Sequence, residues 1–162
     1  MIDPPWLKRA RIHIGLAEIP GKQTAPTIAR WLRELRAWWS DDETPWCGVY
    51  VAAVMREAGY RLPQHWYRAK AWLDWGVPLP HPKFGSIVVF DRSGGGHVGI
   101  VVGRDQADRL LVLGGNQANR VSVAPFEVDR VLGYRWPVEG AMIAKIDPPK
   151  LANNDRPSRN EA

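Results

Sequence analysis

The chain of 162 residues is 45% apolar and 24% charged, with 22 Lys and Arg against 17 Asp and Glu for a net charge of +5. This size and balance suit one domain whose core folds without disulfides or a structural metal, and they exclude wholesale disorder. A single cysteine, Cys47, excludes a disulfide framework and a multi-cysteine zinc site, and no run approaches the roughly 20 apolar residues that cross a bilayer.

Leu7, Ala10, Ile14 and Ala17 share one face, which predicts a helix over 6–17 with Lys8, Arg9 and Arg11 off that face. Glu18-Ile19-Pro20-Gly21 closes it with turn residues. A second helix is expected over 26–39, with Pro26 in its first turn and Ile28, Trp31, Leu32, Leu35 and Trp39 as its apolar stripe. After the acidic loop Ser40-Asp41-Asp42-Glu43, Thr44 reads as an N-cap and Pro45 as the first residue of a third helix. Trp46, Val49, Tyr50, Ala53 and Val54 continue its apolar spacing, and Gly59 stops it. A shorter helix over 69–75 breaks at Gly76 and the proline-rich run 77–82. Strands follow over 86–90, 97–102, 110–113, 121–123 and 131–134, separated by Gly, Asp and Asn turns. Helices first and strands after predict an α+β domain, its helices packed on an antiparallel sheet, over residues 5–137. Residues 138–162 read as a flexible C-terminal tail.

Residues 1–40 hold seven basic and three acidic side chains. That excess suits an anionic partner such as a cell-wall polymer, a membrane surface or nucleic acid. Basic residues interspersed with acids argue against nucleic acid. Most of the nine Trp belong in the core, and some can line a groove for sugars or bases.

The chemistry centres on Cys47. Thr44 as N-cap makes Cys47 the third helical residue, where unpaired backbone N–H groups and the helix dipole stabilise a thiolate. The competing reading is small core filler. His97 follows Ser93-Gly94-Gly95-Gly96 and opens a buried strand, a place from which an imidazole can face a helix N-terminus as base. His13, His65 and His81 read as surface or capping residues. A base needs an orienting group on its other ring nitrogen. The next strand ends in Leu113-Gly114-Gly115-Asn116-Gln117, so Asn116 or Gln117 can accept the imidazole N–H.

A Cys at a helix start, a His at a strand start fifty residues later and a polar residue one strand on resemble the papain-like peptidoglycan hydrolases. These are the NlpC-type and CHAP (cysteine, histidine-dependent amidohydrolase/peptidase) enzymes. Glu18-Ile19-Pro20-Gly21, Asp42-Glu43-Thr44-Pro45-Trp46-Cys47, Gly96-His97-Val98-Gly99 and Leu113-Gly114-Gly115-Asn116-Gln117 are similar to a small phage-associated, endolysin-like group. The resemblance covers residues 5–137 and implies a papain-like fold with Cys47 as nucleophile, His97 as general base and acid, and Asn116 as orienter. Trp46 and Gln117 are then expected to contact substrate. That substrate would be bacterial peptidoglycan, cut in the stem peptide or at the N-acetylmuramoyl-L-alanine link, with no cofactor and no metal. A monomer is expected, its positive charge meeting an anionic wall or outer-membrane surface, with no nucleic acid as partner. Met1-Ile2-Asp3-Pro4-Pro5-Trp6 lacks the pattern of a secretory signal. The expectation is a protein made in the cytoplasm that reaches the wall through holin-type release or as a particle component. Gly48 stands where relatives carry a small Ser, and Ala25 where this group tends to carry Asn. Asp41-Asp42-Glu43 lacks the alternating spacing of a calcium loop and reads as a solvated loop. A non-catalytic wall-glycan-binding module is the rival reading, and it has no need of Cys47 and His97 together.

Overall fold

The computed structural model describes residues 2–19, 23–41, 45–138 and 146–152. Pro5 and Pro26 open helices α1 (Pro5–Ile12) and α2 (Pro26–Glu34), where a missing N–H costs nothing. Helix α3 (Cys47–Glu57) is apolar all round, with every residue from Cys47 to Met55 buried, so it takes the central position. It packs on α1 and α2 on one side and on the sheet on the other. Its end is a Schellman motif: Tyr60 N–H reaches Met55 O (2.9 Å), Gly59 N–H reaches Arg56 O (3.0 Å), and Gly59 has φ +88°.

The sheet contains β1 (Val77–Leu79), β2 (Ile87–Arg92), β3 (Gly95–Arg104), β4 (Leu110–Gln117), β5 (Arg120–Phe126) and β6 (Val131–Trp136). All neighbours are antiparallel in the order β1-β6-β2-β3-β4-β5. Val98, Ile100, Val102, Leu111 and Leu113 face the helices and join Trp6, Ile28, Trp31 and Tyr50 in the main core. Val88, Phe90, Val101, Leu110, Val112 and Phe126 form a second core on the other face. Phe90 and Phe126 stack with centroids 4.5 Å apart although β3 and β4 separate their strands. In a flat sheet those strands would be about 14 Å apart, so this one curls around its second core.

The expected α+β arrangement is therefore present, with several local differences. The first helix ends at Ile12 rather than near 17. Leu16–Glu18 instead runs along β5: Gly15 N–H donates to Val121 O, Val121 N–H to Leu16 O and Glu18 N–H to Asn119 O. Edge pairing there satisfies backbone groups that the helical pattern would have used. The second helix stops at Glu34 in another Schellman arrangement, with Arg36 at φ +58°. The third begins at Cys47, with Trp46 as N-cap, so Cys47 is its first residue and not its third. Thr44 lies outside the described residues. The short helix over Ala69–Asp74 is 3-10. Part of the proline-rich run forms β1, on a sheet edge where proline is tolerated.

The tail is pinned where it is described. Phe84 N–H donates to Ile146 O, Arg104 N–H to Pro149 O and Leu151 N–H to Arg104 O. Lys83 pairs with Asp147 and Lys150 with Asp108, both at 2.7 Å. Residues 146–151 thus belong to the folded body, which corrects the expectation of a loose segment from 138 onward.

Candidate active site

Cys47 is 5% exposed at the first position of α3. Burial alone raises a thiol's pKa. Here the His97 imidazole and the backbone N–H groups of Val98 and Gly48 outweigh burial, and the thiol lies below its ordinary value. Position 48 tolerates only glycine: a Cβ there would fall 2.7 Å from the Trp66 carbonyl oxygen and 2.9 Å from that of Tyr67. The close approach seats the start of α3 against that segment.

His97 is fully buried on β3, on the face of the second core. Its ring lies nearly parallel to Phe126 (centroids 5.3 Å, 11°) and stacks more loosely on Phe90 (6.3 Å, 27°). Those contacts fix the ring plane. Hydrogen bonding fixes the proton. Gln117 Nε2 donates to Ser122 O (2.8 Å) and Val112 O (3.2 Å), two carbonyls that can only accept. The amide is therefore oriented, and Gln117 Oε1 is the atom 3.0 Å from His97 Nε2. An acceptor at that distance requires Nε2 to carry the hydrogen. The interaction with the thiol then falls to Nδ1, which has no hydrogen-bond partner among the described residues. In the neutral ring Nδ1 keeps its lone pair, the state a base needs.

Gln117, not Asn116, is thus the side chain at the orienting position. The register of β4 against β5 shifts between Gly114 and Gln117, and Asn116 sits in the left-handed region at φ +60°. Asn tolerates that conformation better than most residues. Asn116 supplies the bend that turns Gln117 back over Gly114. A Cβ at Gly114 would collide with Gln117 Oε1 and lie 3.2 Å from His97 Nε2, so glycine there leaves room for the pair. Sequence offset alone does not separate two adjacent amides; the bulge does.

Trp46 also differs from expectation. It is 1% exposed, and its indole N–H donates to Glu18 Oε2 at 3.0 Å. Its ring leaves no space for a side chain at Gly115, where a Cβ would lie 2.9 Å from Cζ3. Trp46 is a wedge between the α3 N-terminus and β4, with no face left for substrate. Gln117, the other expected substrate contact, is buried with its amide committed as described. Glu18 was legible only as a turn residue, because its partnership with Trp46 depends on Leu16–Glu18 pairing with β5.

The other histidines lie elsewhere. His13 is 3.6 Å from Glu57 and edge-on to Trp31, and His65 Nδ1 is 3.0 Å from the Tyr67 hydroxyl. Among the described residues no three His, Cys, Asp or Glu side chains gather as a metal site, and Asp42 and Glu43 lie outside that set. A cavity of about 300 Å³ lined by Trp38, Trp39, Pro45 and Tyr67 opens beside the start of α3.

The arrangement holds a thiol of lowered pKa, an imidazole in a defined tautomer and a fixed amide behind it. Helix N-terminal N–H groups stand beside the sulfur. Such a set can attack a carbonyl, hold the resulting oxyanion and protonate a leaving group. The CHAP domain family model matches residues 39–116, a span that contains Cys47 and His97 and ends at Asn116. No curated protein and no solved structure matches the chain.

Proposed function

This chain carries a CHAP domain, and from that premise we propose that it is a cysteine-dependent hydrolase cutting an amide bond of bacterial peptidoglycan. The observation that carries the proposal is the His97 imidazole held by Gln117, whose amide is anchored on Val112 O and Ser122 O, with His97 acting on the Cys47 thiol. A binding module has no use for a buried imidazole whose proton is placed this way.

In this reading His97 Nδ1 takes the thiol proton and Cys47 Sγ attacks the amide carbonyl carbon. The carbonyl electron pair moves to oxygen, where the Cys47 backbone N–H at the helix start supports the charge. Collapse breaks the C–N bond, and the imidazolium gives its proton to the leaving amine. A thioester remains. Water, deprotonated by Nδ1, attacks it and releases the acid and the thiol. Throughout, Gln117 Oε1 holds the Nε2 hydrogen and stabilises the imidazolium while it exists.

The bond is one in the stem peptide or the N-acetylmuramoyl-L-alanine link. The setting we propose is a phage endolysin or virion lysin, on the strength of the motifs around Glu18, Cys47 and Gln117. Incubating purified Gram-negative sacculi with wild type and Cys47→Ala, followed by mass spectrometry of soluble fragments, tests the proposal. Fragments from wild type alone are expected, and their termini name the bond. Sacculi that retain the protein while neither version releases fragments would replace the hydrolase with a wall-binding module.

A further inference from the structure

The mechanism leaves a group of aromatic side chains unused, and they gather on one surface. Trp38 and Trp39, in the segment leaving α2, meet Trp66 and Tyr67. Trp38 packs edge-on against Trp39 (4.7 Å) and Tyr67 (4.6 Å), and Trp39 stacks on Trp66 (6.0 Å). These contacts hold Trp38 in place, yet it is 74% exposed, whereas Trp6, Trp31, Trp46 and Trp72 are fully buried. An indole held rigid by other rings and open to water is poorly used by the fold and well suited to a ligand.

Its address is the nucleophile. Pro45, which lines the same hollow of about 300 Å³, is two residues before Cys47. The Trp66 and Tyr67 carbonyls crowd Gly48, the residue after Cys47, where a Cβ would fall 2.7 and 2.9 Å from their oxygens. The lining also indicates what kind of chain fits. A peptide backbone needs acceptors and donors along its length. Trp38, Trp39 and Pro45 instead present ring faces and a residue with no N–H. A pyranose offers a flat face of C–H groups to stack and hydroxyl or acetamido groups at its edge. Tyr67, which lines the hollow, brings a polar group: its hydroxyl is 3.0 Å from His65 Nδ1. The Trp39 indole N–H is buried without an acceptor among the described residues.

Resting on the hydrolase reading above, we propose that this hollow is a glycan subsite: an N-acetylated sugar of the wall strand stacks on Trp38 and sets the attached peptide amide over Cys47. Trp38 is then a specificity-determining contact that acts on binding. Trp38→Ala should raise KM on sacculi roughly tenfold with kcat unchanged, the order expected for loss of one stacked ring. Trp38→Phe should recover most of it. The exposure of Trp38 predicts that both variants fold, which circular dichroism checks.

A second measurement does not depend on turnover. Cys47→Ala protein is titrated with an N-acetylglucosamine tetramer, and separately with a free stem tetrapeptide, while indole NMR signals are followed. The tetramer should shift the Trp38 signal and the tetrapeptide should leave it in place. Trp38→Ala in the same background should abolish tetramer binding. A Trp38 signal moved by the peptide alone, or KM and tetramer binding indifferent to Trp38→Ala, would overturn the subsite. If wild type releases no fragments from sacculi, the hydrolase reading fails by itself, and the tetramer titration still decides the subsite.

Discussion

Replacing Gln117 with Leu removes its amide while keeping most of its volume. Four contacts disappear: Oε1 to His97 Nε2 at 3.0 Å, and Nε2 to Ser122 O, Val112 O and Ser122 Oγ at 2.8, 3.2 and 3.3 Å. A neutral hydrogen bond contributes about 0.5–1.5 kcal/mol net, and a buried partner left unsatisfied costs about 1–3 kcal/mol. The sum points to a stability loss of about 3 kcal/mol, or roughly 10 °C in Tm for a domain of this size. The kinetic cost has a different source. Loss of tautomer preference alone costs only a small factor, because a free imidazole populates both forms. The larger part is the charge-assisted bond to the imidazolium, about 1.5–3 kcal/mol, so kcat should fall about 10- to 100-fold with KM little changed. Asn116→Gly is the matched control, since it preserves the φ of +60° and deletes only the side chain. Its kcat on sacculi should stay within a factor of about two of wild type, under about 0.5 kcal/mol in the barrier, because the His97–Gln117 bond is left in place. Full turnover by Gln117→Leu, or a comparable loss in Asn116→Gly, would return the orienting role to Asn116.

Four further outcomes are expected. The pH midpoint for alkylation of Cys47 by iodoacetamide should lie below that of an ordinary thiol, and His97→Ala should move it upward, because burial then acts with less opposition. Since the folded thiol is the stronger acid, its ionisation adds stability that is complete above the unfolded-chain value and is lost as pH falls through the folded one; wild type should therefore gain stability over Cys47→Ala across that window in urea titrations. Glu18→Ala should lower the unfolding free energy by about 1–3 kcal/mol by stranding the Trp46 indole N–H, while Glu18→Gln, which keeps an acceptor, should recover most of it. Arg36→Gly should raise stability by about 1 kcal/mol, because the position following α2 has φ +58° and Gly adopts it without the Cβ penalty.

What could be read from the chain in advance was whatever local physics decides. Pro26, the stripe from Ile28 to Leu35 and the stop at Gly59 mark helix limits through backbone rules that act within a few residues. Cys47 and His97 stood out because each sits where a helix or strand begins. The differences arise where distant segments settle a local choice. Ala17 fits a helical face, yet a bridge to Arg120 takes it into the sheet. Trp46 looked available because it adjoins Cys47, but it is enclosed once Glu18 and Gly115 close on it. Gln117 takes the place beside His97 expected of Asn116 at a bulge, which no periodicity announces. The pinned stretch 146–151 has polar and proline-rich composition, and only its hydrogen bonds to Phe84 and Arg104 show its place.

The pairing of Leu16–Glu18 with β5 also bears on self-association. An open sheet edge is a template for a second molecule. Val121 N–H points outward on β5 and is occupied by Leu16 O. Residues two apart share that direction, so the next outward positions are Val123 and Pro125, and Pro125 has no hydrogen to offer. At the opposite margin, β1 is only three residues long with Pro78 at its centre. Among the described residues, neither margin presents the continuous ladder of donors that strand addition by a second copy requires.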